Sequence, residues 1–288
     1  MAAITDLSDY INIQTGGNNG NPLATFFLKN ARTGGTFINT TEFLMYTCWN
    51  WDGMPGIGAD PGATCTQCTN STDGAIPLSA PGGAREKFMT SLFAVPNSGG
   101  TVLLVDRLVH IRNLSGTSTS AQTVQGSTPS PILPRNESTG AGNLILVEIF
   151  TAIGSTAATI TAEYIDQGGN SSTTQSIAIG GTGNSEVSRA IILPLAAGDT
   201  GVRSVTSVTL NVSTGTAGNF GVSVVRPLAV LSMTARGAGC YRDYVTGLPS
   251  MPALLGTECL SLLSMPAASV TSGTSPLVIN GMMGTVEN

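Results

Sequence analysis

The stretch that most constrains this chain is Asp199 to Leu231, DTGVRSVTSVTLNVSTGTAGNFGVSVVRPLAVL. Its first half is a β-branched run through Val202, Ser204, Thr206, Val208, Leu210 and Val212, a composition that suits strands better than helices. Val205 and Val208 break strict alternation, which predicts a bulge or a strand buried on both faces. STGTAGN supplies residues that tolerate positive φ. Phe220 to Val225 then alternates, with Phe220, Val222 and Val224 on one face and Gly221, Ser223 and Val225 on the other. The pattern predicts one β-hairpin, ended or edged at Pro227. So apolar a hairpin needs a second sheet to cover it.

The flanking segments can supply that sheet. Thr101 to Ile111 reads as a strand with a polar pair, Asp106 and Arg107, and with His110 as a packed or surface residue rather than a catalyst. Asn143 to Thr151 reads as the central strand, and Thr156 to Ile165 as its hairpin partner across AIGS. Thr173 to Ile179 and Ala190 to Leu195 follow after short turns. Leu114 to Pro134, rich in Ser, Thr, Gln and Pro, reads as a loop or extended arm, not a core strand. The fold expected is mainly β: a β-sandwich or jelly-roll core at residues 96–231, an irregular N-terminal region at 1–95, and an extended C-terminal arm at 232–288. In the N-terminal region, a brief helix begins near Thr5 or Ser8, and Leu23 to Lys29 is apolar but too short to assign by period. In the arm, Leu254 to Leu263 suits a short helix between helix-breaking prolines. The arm lies either along its own sandwich or, exchanged, along a neighbour's.

Composition narrows the function classes. Charged residues are only 10% of the chain, against roughly 25% in ordinary soluble domains. Such a surface offers weak protection against self-association and suits a protein that hides area in an assembly. With 12 Lys plus Arg, a net charge of −5 and no basic run, the chain lacks the clustered cations that phosphate contacts need, so no direct nucleic-acid partner is expected. No apolar run approaches the length of a membrane-spanning helix. The opening MAAITDLSDYIN has neither the basic nor the apolar region of a secretory signal, so synthesis in the cytoplasm is expected.

Two constellations stand out. The first is the odd set of cysteines, Cys48, Cys65, Cys68, Cys240 and Cys259. Cys65 and Cys68 form a C-x-x-C, the spacing of a zinc knuckle or a redox pair. A second such pair is missing, His110 sits in a strand, and no βαβ pattern surrounds the motif. The reading adopted is disulfides, within or between chains, formed after release from the cell. The second is FLMYTCWNWD, where Trp49 and Trp51 share a strand face beside Asp52. They suit either a stacking platform for a sugar or partner, or a small satellite core. No nucleophile elbow, zinc-protease motif or phosphate loop is present. Glu148 and Glu163, on neighbouring predicted strands, read as solvent-face residues. Neither an enzyme nor a cofactor is expected.

The opening ITDLSDYIN and the block AIGGTGNSEVSRAIILPLAAGDTGVRSVTSVTLNVSTGTAGNFGVSVVRPL resemble accessory virion proteins of tailed bacteriophages. The resemblance covers roughly residues 140–231 and the N-terminus. It implies a non-enzymatic part of the virion, repeated as a trimer or ring, that contacts other head or neck proteins as head decoration or as a collar. The rival reading is a carbohydrate- or receptor-binding module built on Trp49, Trp51 and Asp52.

Overall fold

Runs of β-branched and leucine residues, broken every few positions by Gly, Pro or Asn, make the described residues mainly strand, with almost no helix. The computed structural model describes residues 7–15, 23–31, 44–48, 64–72, 74–83, 85–125, 133, 135, 139–246, 251–267 and 277–287. A short helix, α1 (Leu7–Gln14), precedes β1 (Leu23–Asn30), β2 (Tyr46–Thr47), β3 (Thr66–Gln67), β4 (Lys87–Pro96), β5 (Gly100–Leu114), β6 (Gln122–Thr123), β7 (Leu144–Thr151), β8 (Ala158–Asp166) and β9 (Ser171–Thr173). Then come β10 (Ile177–Ile179), β11 (Ala190–Leu193), β12 (Val202–Leu210), β13 (Asn219–Met233), β14 (Cys240–Asp243), β15 (Ala253–Leu254), β16 (Cys259–Pro266) and β17 (Val278–Glu287).

Among the described residues the strands form three antiparallel sheets. The central one has the order β11-β7-β13-β5-β16-β2, with β3 also on β5. A second has the order β10-β8-β12-β6, with β9 on β8, and a third β1-β17-β4-β14, with β15 on β4. β5 and β13 are 15 residues each, far longer than the usual 5–6 or so. They serve two cores in succession. At one end Val222, Val224 and Val147 meet Val205, Val208 and Ile160 of the β8 sheet. At the other, Leu104, Leu231 and Leu262 meet Met89, Leu92, Ile279 and Met283 of the β17 sheet. Between the two ends, β13 slips register against β5 at Val224/Val225 and again at Pro227/Ala229. The chain is therefore two β-sandwiches joined through one shared sheet.

Several expectations from sequence are corrected here. β12 and β13 do not form a hairpin: they lie in different sheets. Residues 211–218 between them are enough to cross the roughly 10 Å that separates stacked sheets. Crossing lets the apolar faces of both strands meet across one core. β7 and β8 likewise fall in different sheets rather than pairing. Pro227 does not end its ladder, because a bulge absorbs its missing N–H and the strand continues to Met233. Leu254 to Leu263 is not a helix but β15 and most of β16, whose residues are buried on both faces. A doubly buried strand carries a continuous apolar run that periodicity cannot tell from a helix. The bulge expected near Val205 is present: β12 shifts register against β8 at Val202/Ser204 and Val205/Ser207.

The C-terminal arm packs on its own sandwich. β16 joins the shared sheet, and β17 runs between β1 and β4. The N-terminal segment ambiguous by period is β1, the outer strand of that third sheet. Sheet pairing thus runs across positions 95 and 231.

Candidate functional site

The cysteines fall into separate environments, and all five thiols are free. Cys65 packs into the core of the first sandwich, and burial pushes its thiol up to about 12. Cys68 lies instead in a small cluster with Ala75 and Cys259. The C-x-x-C is therefore not a matched pair: its two thiols serve different surroundings. Cys48 lies in the second core, its thiol held up by burial and by the Glu148 carboxylate. Cys240 is partly buried against that same core. Among the described residues no group of three His, Cys, Asp or Glu is placed to hold a metal. Trp49, Trp51 and Asp52 lie outside the described residues.

A buried polar seam crosses the middle of the shared sheet. Arg135 grips Asp106 with two hydrogen bonds, Nε to Oδ2 at 2.9 Å and Nη2 to Oδ1 at 2.7 Å. Asp106 Oδ1 also accepts the Cys259 N–H at 2.9 Å. Next to it Arg107 is almost completely buried. Burial works against its charge, but Cys259, Cys68 and Glu148 around it hold the guanidinium protonated. Burial would raise the Cys259 thiol; hydrogen bonds with Cys68 and Arg107, and the Arg107 charge, bring it below its ordinary value. The hydrogen bond with Cys259, and burial, push Cys68 the other way.

Glu148 is buried, not on a solvent face as its sequence suggests, and accepts a 2.7 Å hydrogen bond from Thr47 Oγ1. Glu163, in a different sheet, is exposed. His110 is fully buried, its Nδ1 2.5 Å from Ser223 Oγ and its ring edge-on to Phe150 at 5.4 Å. This seam fixes the junction between the sandwiches.

The exposed feature lies on the third sheet. Register puts Phe26 opposite Met282, Met282 opposite Phe93, and Phe93 opposite Tyr241. Directly opposed residues on antiparallel strands share a face. Their inward neighbours Phe27, Leu92, Ala94 and Met283 fill the second core, so this row faces outward. Phe26 is 68% exposed and Tyr241 60% exposed, with Met282 and Phe93 half-buried between them. Leu28, opposite Asn280, and Val95, also opposite Asn280, widen the row. Four apolar or aromatic side chains thus cross the sheet from β1 to β14. Sequence reasoning missed this row. The only local signal is LATFFLK, where Phe26 and Leu28 alternate with the buried Phe27 and so present apolar side chains on both faces.

No protein-family model matches this chain, and no curated protein matches it. Among solved structures, the infectious bursal disease virus VP2 subviral particle is 10% identical at a TM-score of 0.21, with 93% of this chain and 80% of that chain covered. The infectious bursal disease virus Gt strain structure is 9% identical at a TM-score of 0.21, covering 93% of this chain and 81% of that one.

Proposed function

We propose that this chain is a structural component of a virion, an accessory protein of the tailed-phage type that clads the head or the neck and collar. It works by contact area and assembles with copies of itself as a trimer or ring. The observation that carries the reading is the outward row Phe26–Met282–Phe93–Tyr241 on the third sheet. Isolated apolar residues on a surface need no explanation, but a continuous row across four strands marks an interaction face.

Fully burying a side chain of the Phe or Met class contributes about 1.5–3 kcal/mol. Association itself costs roughly 4–15 kcal/mol. All four side chains of the row are already partly buried, Met282 and Phe93 most of all, so covering one row from each of two copies recovers only a fraction of that amount per side chain and lies near break-even; a stable assembly must also cover Leu28 and Val95. The low charge of the chain removes most of the repulsion that would oppose such contacts. The phage-protein resemblance of residues 140–231 supports the virion setting. The receptor-binding alternative rests on Trp49, Trp51 and Asp52, and nothing in the described residues favours it.

Quantitative mass spectrometry of purified particles tests the proposal. The chain is expected at many copies per particle, in a multiple that fits a ring or a symmetric lattice. Its absence from particles, or only trace amounts, overturns the reading.

A further inference from the structure

The two strands that carry Cys68 and Cys259 meet end to end along one edge of β5. β13 occupies the other edge for the whole length of β5. On the free edge, β3 pairs Thr66 with His110 and Gln67 with Val109, and the Cys68 N–H bonds to Leu108 O at 2.9 Å. β16 takes the next position, with Cys259 opposite Arg107 and Leu260 opposite Asp106. The two cysteines therefore address adjacent residues of a single strand, although 190 residues separate them in the chain. Both are fully buried and touch within the same small cluster, and their sulfurs share a hydrogen bond. β3 ends at Gln67, so Cys68 leaves the strand's alternation and lies with Cys259 beside Arg107 on one face of β5.

We propose that Cys68 and Cys259 form an intramolecular disulfide once the chain leaves a reducing compartment, stapling the β3 loop to β16 across the free edge of β5. The oxidant is a small disulfide such as oxidised glutathione. The Cys259 thiolate, held beside the Arg107 guanidinium, attacks one glutathione sulfur and expels a glutathione thiolate. Cys68 then gives up its proton and attacks the Cys259 sulfur of the mixed disulfide, expelling the second glutathione thiolate. Two protein thiols are oxidised and one glutathione disulfide is reduced to two thiols. Access comes through opening of β3, a two-residue strand whose Thr66 and Gln67 are both exposed. Cys65 does not take part, since it packs into the first core. The closed loop takes in most of the chain, the case in which a cross-link restricts the unfolded state most. The bond forms within one copy and does not depend on assembly.

The test uses the full-length chain, purified under reductant and moved into a glutathione buffer poised oxidising. Free thiols are then blocked with N-ethylmaleimide, and the protein is digested without reduction. The expected product is a peptide pair joined through Cys68 and Cys259, with Cys48, Cys65 and Cys240 alkylated. The urea midpoint of the oxidised chain should exceed that of the reduced chain. Cys68→Ala should abolish both the linked peptide and that difference, while Cys48→Ala leaves both intact. Recovery of Cys68 and Cys259 both alkylated overturns the proposal, as does either one joined to another cysteine or to a second chain. Should Cys68→Ala fail to fold, the peptide map of the unaltered chain still decides.

Discussion

Asp106 holds two elements at once: its carboxylate takes both arms of the Arg135 guanidinium and the backbone N–H that opens β16. Removing one partner of a buried pair leaves the other charge without compensation, at a cost of about 3–5 kcal/mol. Asp106→Ala is therefore expected to lower stability by about that amount, read as a drop in the urea midpoint. An unchanged midpoint would show that the pair is not a structural clamp. Glu287, at the end of β17, behaves differently. Burial would raise its carboxyl. The hydrogen bonds from Lys87 and the Gly82 N–H, with the Lys87 and Arg85 charges, outweigh that and hold it below its ordinary value. Lys87 Nζ lies 3.0 Å from Glu287 Oε1. A depressed carboxyl contributes stability that is complete above its unfolded-state value and fades as pH falls through the lower, folded-state value. Part of the acid lability of this chain should thus vanish in Glu287→Gln, measured as a shallower loss of thermal midpoint below about pH 4.5. An identical acid profile in the variant contradicts the assignment. Asp106 and Arg107 stand out in sequence as a polar pair inside an apolar strand. Their partners Arg135, Cys259 and Glu148 do not, because each comes from a distant strand or loop.

At the scale of elements, the strands are largely readable and their neighbours are not. The alternation of Phe220 to Val225 and the broken alternation at Val205 both survive in β13 and β12. Pairing fails because the same apolar face is equally served by a neighbour in the sheet or by a layer opposite. Connection length then decides, and residues 211–218 give the chain room to cross. β16 shows a second limit: a strand buried on both faces loses its period of two. Gly221 tests the observed packing of β13 on β5. A Cβ there would come within 2.3 Å of the Ile111 carbonyl oxygen and 2.8 Å of the Phe150 ring. Backbone cannot yield as a flexible side chain does. Gly221→Ala is expected to cost about 2–3 kcal/mol in chemical denaturation. A neutral result would place β13 elsewhere.

At the scale of the whole molecule, β5 and β13 pass through both cores, so neither sandwich can lose its central strands alone. One cooperative transition is expected. Leu210→Ala in the first core and Leu92→Ala in the second should each lower that same transition by about 2–5 kcal/mol. Two resolved transitions, each sensitive to only one variant, would contradict the shared-sheet account. The candidate assembly face also exists only at this scale. Phe26, Phe93, Tyr241 and Met282 are scattered through the sequence, and only the register of four strands sets them in a row. Sedimentation velocity on the intact chain and on the Phe26→Asp/Tyr241→Asp double variant, at matched micromolar concentrations, tests that face most directly. A discrete oligomer is expected for the unaltered chain, and a folded monomer with an unchanged far-ultraviolet spectrum for the variant. A monomeric unaltered chain across the whole concentration range, or a variant that assembles just as well, would contradict it.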